Sequence, residues 1–142
     1  MTTAYIPDAL RRLVYERAQG RCEYCLTPES VVLSAQQVDH IIAHKHGGLT
    51  QAENLALACA LCNKHKGSDL ASLDPGTGEI APLYHPRRDR WAEHFRLVNG
   101  RVVPLTPAGR VTVRLLQFNH PDRISERLLL IKAGLIHIPD QS

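Results

Sequence analysis

Cys22-Glu23-Tyr24-Cys25 and Cys59-Ala60-Leu61-Cys62-Asn63-Lys64-His65-Lys66-Gly67 are the stretches whose reading decides the fold. Each opens with a Cys-x-x-Cys pair, and these are the only four cysteines in the 142-residue chain. Two tight thiol pairs separated by a few tens of residues can converge on one Zn²⁺ as a closed tetrahedral cage, a structural arrangement with no open position for chemistry. Disulfides fit less well, because residues 1–20 contain no charged-then-apolar export segment. A thioredoxin-type redox pair would need a single Cys-x-x-Cys in a βαβ setting.

Working outward, Pro7 followed by Ala9, Leu10, Leu13, Val14 and Ala18 predicts an amphipathic helix ending at Gly20, which delivers the chain to the first cysteine pair. Val31–Ala35 and Gln37–Ile42 have strand-like content and predict a short β-ribbon. His44-Lys45-His46-Gly47-Gly48 is a loop, with Thr50 and Glu53 spaced as a capping box. A second helix is expected from Asn63 onward. Asp74-Pro75-Gly76-Thr77-Gly78 is a turn cluster, placing the boundary between a unit at 1–73 and an extension at 74–142 that packs on it. In the extension, Asn99-Gly100 between Phe95–Val98 and Arg101–Val103 predicts a hairpin. Thr106-Pro107 predicts the start of one helix, and Ile124, Leu128 and Ile131 mark a last one stopping at Gly134. The fold class expected is α+β.

Between the cysteine pairs and directly after the second lie residues suited to different chemistry. Hydrolysis of a phosphodiester needs a hard divalent cation at the phosphate and a base for the attacking water. The Asp39 carboxylate and the Asn63 amide oxygen are hard ligands for Mg²⁺ or Mn²⁺. His40, with an ordinary pKa of about 6.5, can accept the proton. In an ideal strand Asp39 and His40 point to opposite faces, so the pair has to sit where the ribbon runs out into the loop. Asn54 is expected to hydrogen-bond across the loop and hold its shape. Lys64, His65 and Lys66 are expected to meet phosphate beside this site. Arg87, Arg88 and Arg90 next to Trp91 fit either a second phosphate contact or a solvated charge run over a core tryptophan.

Cys22-Glu23-Tyr24-Cys25, Val38-Asp39-His40-Ile41-Ile42, His46-Gly47-Gly48, Asn54-Leu55 and Cys59 through Gly67 occur in the order found in the HNH endonucleases, which residues 20–68 resemble. The resemblance implies a ββα-metal core that nicks or cleaves DNA with one divalent ion. It implies Asp39 and Asn63 as metal contacts, His40 as general base, Asn54 as scaffold, and the cysteines as a zinc knuckle. Asn63 stands where the family name leads one to expect His, which favours Mg²⁺ over Zn²⁺ as the working ion. Asp74-Pro75, Thr77-Gly78-Glu79, His85-Pro86-Arg87, Trp91, His94-Phe95 and Leu105 through Arg110 resemble the tail of a bacterial subset of HNH proteins, with no catalytic role implied.

Composition bounds the alternatives. A formal charge of +3 and 44% hydrophobic residues suit a soluble domain that tolerates an anionic partner. No run approaches the ~20 apolar residues needed to span a bilayer, so a cytoplasmic location and DNA as partner are expected. A non-catalytic zinc module that binds nucleic acid or protein is the competing function, and it has no use for Asp39, His40 and Asn63 together.

Overall fold

The computed structural model describes residues 5–31 and 35–139. Helix α1 (Asp8–Ala18) follows Pro7 and stops where Gln19 and Gly20 adopt left-handed backbone. Its inner face, Val14 and Ala18, packs with Ile6, Leu55 and Leu57. Two short strands, β1 (Gln37–His40) and β2 (Leu55–Ala58), pair antiparallel with Asp39 opposite Ala56 and His40 opposite Leu55. Helix α2 (Ala60–Lys66) follows β2 directly.

The ribbon therefore differs from the expected one. The partner of β1 is Leu55–Ala58, while residues 32–34 of the expected first strand lie outside the described residues and Val31 ends a single 3-10 turn. All four residues of β2 are buried: Leu55 and Leu57 face α1, whereas Ala56 and Ala58 join the cysteines. A strand buried on both faces shows no polar alternation, so its sequence carries no period-2 signal. The expected capping box at Thr50 and Glu53 is also absent. A 3-10 turn spans Ala52–Asn54 after Gln51, and no side chain caps it. Helix α2 begins earlier than expected because the Cys59 sulfur serves as its N-cap, accepting from Cys62 N at 3.4 Å.

The second half adds two hairpins and three helices. Strands β3 (Ala71–Leu73) and β4 (Ile80–Pro82) flank the 74–78 turn cluster, which is thus the loop of a hairpin. Three-residue strands are too short to show alternation in sequence. After α3 (Trp91–His94), β5 (Phe95–Val98) and β6 (Arg101–Pro104) form the hairpin expected at Asn99-Gly100, both of which have positive φ. Helix α4 (Pro107–Leu115) starts as expected, with Thr106 Oγ1 accepting from Gly109 N. Helix α5 (Pro121–Lys132) carries the expected Ile124, Leu128 and Ile131, but its buried residues are Arg123 and Arg127. Among the described residues no helix is long and apolar enough to cross a membrane.

One core joins the two halves. The four cysteines, Tyr24, Leu26 and Ile41 pack with Tyr84, Trp91, Phe95, Val102, Leu116 and Phe118. Trp91 Nε1 donates to Tyr24 O at 2.9 Å, so the indole satisfies a backbone carbonyl inside the first cysteine turn while filling the core. Arg87 pairs with Glu23, whose other oxygen accepts from Leu57 N.

Asp74 closes the β3–β4 turn. Its carboxylate accepts from Gly76 N and Thr77 Oγ1 and forms a two-bond fork with Arg110 of α4, at 2.9 Å each. The Arg110 hydrogen bonds hold its pKa well below the ordinary carboxylate range. A depressed folded-state pKa contributes stability that is complete above the unfolded value of about 4 and fades as the pH falls below it. Asp74→Asn is therefore expected to lower the urea midpoint at pH 7, with the gap between variant and parent narrowing in acid below about pH 4. Urea titrations of both proteins at the two pH values measure this.

Candidate active site and metal centre

The four cysteine sulfurs come from two local turns. In each, the first cysteine's sulfur accepts from the backbone N–H of the second: Cys25 N to Cys22 Sγ and Cys62 N to Cys59 Sγ, both 3.4 Å. The β1–β2 ribbon and the hydrogen bond from Glu23 N to Leu57 O bring the two turns together. All four residues are buried and their Sγ atoms lie within 4.8 Å of one another. None is in a disulfide, and Cys25 and Cys59 sulfurs stand 3.6 Å apart. A tetrahedron of Zn–S bonds of about 2.3 Å has sulfur–sulfur edges near 3.8 Å, so the donor set fits a closed zinc site.

Behind the sulfurs sits Arg123. Its guanidinium donates to Cys62 Sγ at 3.3 Å, approaches Cys59 Sγ at 3.9 Å, and donates to Leu116 O at 2.7 Å. Burial pushes the Cys22 and Cys62 thiols up, while hydrogen bonds from neighbouring thiols hold Cys25 and Cys59 down. Sequence reasoning missed Arg123. The available signal was its spacing from Arg127, four residues on, along the same helical face that carries apolar neighbours.

The second group of residues lies along the seam between β1 and α2. Gln37 and Asp39, two apart on the strand, share a face. Asn63 and Lys66, three apart on the helix, also share one. Asn63 Nδ2 donates to Gln37 Oε1, and Lys66 Nζ donates to Asp39 Oδ2 at 3.0 Å and to His40 O at 3.2 Å. Asp39 and Asn63 are thus brought to one seam. Burial pushes the Asp39 pKa up, and Lys66 partly offsets that rise.

Lys66 is only 2% exposed. It does not lie on the surface where a DNA contact was expected; the buried Asp39 carboxylate takes its ammonium inward, since an unpaired charge there would be costly. Lys64 is exposed and His65 half-buried. The donors at the seam suit a hard cation: one carboxylate and two side-chain amides, with an ammonium already held against the carboxylate.

His40 is the last residue of β1, and its Nε2 meets Thr50 Oγ1 at 2.8 Å. Burial lowers its pKa, Asp39 raises it, and His44 and Lys66 lower it further, so the ring is neutral at pH 7. Thr50, expected as a cap, is instead the imidazole's partner. Asn54 spans the loop as expected: Oδ1 accepts from Ile42 N, and Nδ2 donates to Ile42 O and Leu49 O, each at 2.9 Å. Gly48 completes this packing, because a Cβ there would stand 1.8 Å from Ile42 O and 2.8 Å from Asn54 Nδ2. His46 Nε2 lies 3.1 Å from Ser68 O, tying the glycine loop to the chain just beyond α2. Arg87 is committed to Glu23, whereas Arg88 is exposed.

No curated protein and no solved structure matches the chain. Residues 22–69, which run from the first cysteine through the ribbon and α2, do match the family model described as HNH endonuclease. The segment that builds both the sulfur cage and the Asp39–Asn63 seam is therefore the segment similar to the HNH endonuclease model.

Proposed function

We propose that this protein is a metal-dependent DNA endonuclease, with residues 1–73 as the nuclease unit and residues 74–142 as a brace packed on it. The observation that carries the reading is the β1–α2 seam. Gln37 and Asp39 meet Asn63 and Lys66 there, His40 follows Asp39 at the end of the strand, and all of these lie in the segment that matches the HNH model. Asp39 and Asn63 would hold Mg²⁺ or Mn²⁺, which when bound supplies charge neutralisation at the phosphate and leaving oxygen. His40 accepts the proton of the attacking water. Its neutral ring is oriented by Thr50, as a general base requires. Asn54 keeps the loop that carries Thr50 in register with β1.

Lys66 against Asp39 supports a second reading. A buried ammonium can simply complete an ion pair, leaving a zinc-stabilised module that binds DNA without cutting it. Plasmid nicking decides between the two. With Mg²⁺, the parent is expected to convert supercoiled plasmid to the nicked form, and His40→Ala is expected to lose about 10²–10⁴-fold in rate with its zinc content unchanged. Thr50→Val should lose less, since it removes only the orienting contact. A parent that binds plasmid but never nicks it establishes the binding module instead.

Structural zinc in the cage is the second half of the proposal. Such sites contribute ~10–16 kcal/mol of apparent binding free energy, comparable to the whole stability of a small domain. Cys59→Ser is expected to leave less than one zinc per chain and to lose cooperative unfolding. Arg123→Gln should retain zinc yet surrender it faster to a chromogenic chelator, because the guanidinium charge that faces Cys62 Sγ is gone. Zinc release traced by absorbance reports both.

A further inference from the structure

Two open clefts share a wall, and the smaller of them reaches the seam at Lys66. The larger, about 600 Å³, runs along the glycine loop past Gly47, Gly48 and Asn54. The smaller, about 270 Å³, reaches Lys66, whose ammonium rests on Asp39. Ile42, His85 and Arg88 line both, so the two are halves of one groove with His85 and Arg88 on the shared wall. Both of these residues come from the C-terminal extension.

The His85 turn fixes the chemistry of its ring. Nδ1 accepts from Arg87 N and Arg88 N, each at 3.2 Å, so the ring proton sits on Nε2. Asp89 Oδ2 accepts from His85 N at 2.9 Å, and Arg88 N and Asp89 N both donate to His85 O. Burial and the neighbouring Arg88 charge lower the His85 pKa, keeping the imidazole a neutral donor. Among the described residues, no hydrogen bond or ion pair engages His85 Nε2 or the Arg88 guanidinium. The other cations of the groove are committed: Arg17 to Ala52 O and Leu55 O, Arg87 to Glu23, and Lys66 to Asp39. Of the acids, Asp89 is held by the turn, while Glu53 lies in the larger cleft and Asp69 in the smaller. The shared wall therefore presents a fixed N–H beside a free guanidinium, the donor pair suited to the oxygens of a phosphodiester.

We propose that His85 Nε2 and Arg88 form a backbone-phosphate subsite for the DNA strand whose scissile bond lies at Asp39 and His40. The assignment rests on the endonuclease reading and gives the extension a substrate-binding part beyond bracing the core. It accounts for why the turn spends two backbone N–H groups on the ring's Nδ1. That pairing turns Nε2–H away from the turn and leaves it available as a donor.

The test is fluorescence anisotropy with a short labelled DNA duplex and no added Mg²⁺, titrated at several salt concentrations. Arg88→Ala is expected to raise Kd about tenfold and to reduce the slope of log K against log salt by about one, the signature of one lost phosphate contact. His85→Asn keeps an acceptor for the turn but withdraws the Nε2 donor. It should weaken binding about threefold with the salt slope unchanged, since a neutral donor displaces no counterion. Arg101→Ala, an exposed arginine on β6 that lines neither cleft, is the comparison for bulk charge. The subsite is overturned if the parent does not bind duplex, if Arg88→Ala binds as the parent does, or if Arg101→Ala loses as much. His85 is struck from it if His85→Asn binds unchanged. The endonuclease reading fails separately: a parent that binds duplex with this Arg88 dependence but does not nick plasmid retains the subsite and loses the catalysis.

Discussion

The contact on which the rest depends is the convergence of four buried sulfurs on one point, backed by Arg123. Zinc held by four thiolates carries net negative charge, and a low-dielectric interior makes such charge expensive unless it is hydrogen-bonded or countered. The chain meets that demand with two backbone N–H groups, one inside each Cys-x-x-Cys turn, and with the Arg123 guanidinium. Arg123 comes from the last helix, so the knuckle near the start of the chain and α5 near its end share one electrostatic unit. This explains why α5 buries arginines rather than its leucines, with Leu129 left 68% exposed. Arg127 satisfies Gly100 O and Phe118 O and so locks the β5–β6 turn onto the same helix.

From that unit the site follows by short steps. Cys59 caps α2 with its sulfur, so the cage sets where the helix begins and which of its residues lean on β1. Asn63 and Lys66 then meet Gln37 and Asp39 as successive rungs. The far end of β1 is tied by Asn54, whose three hydrogen bonds set the path of the chain from Ile42 to Leu49 and carry Thr50 to His40. Sulfur chemistry orders one end of the ribbon and amide chemistry the other. Between them lies the seam where the candidate ligands stand.

Much of this was legible from residue types with rigid requirements. The cysteine spacing announced the cage, Asn99-Gly100 the hairpin, Thr106-Pro107 the start of α4, and Asn54 the loop cross-link. The features that escaped are those whose cause is tertiary. β2 has no alternation because it is buried on both faces, β3 and β4 are too short to show a period, and Thr50 reads as a cap until the imidazole ten residues earlier claims its hydroxyl. Lys66 reads as a surface base in a run of charged residues. Only the approach of β1 reveals that a buried carboxylate needs it. Charge in sequence marks a residue as polar without saying whether water or a counter-charge will satisfy it.

The Lys66–Asp39 pair bears on how the seam could work in either reading. An ammonium 3.0 Å from Oδ2 occupies the side of the carboxylate facing α2, and its second bond goes to the His40 carbonyl. The same cation therefore touches the side chain of one candidate catalytic residue and the backbone carbonyl of the next, fixing the end of β1 against the helix. Loss of that ammonium would leave a carboxylate that burial already pushes toward its protonated form. A protonated Asp39 is a poor cation ligand, and the Lys66 charge opposes that protonation. The buried lysine and a hard-cation ligand role for Asp39 are then compatible, because the ammonium favours the charged carboxylate that a divalent ion requires.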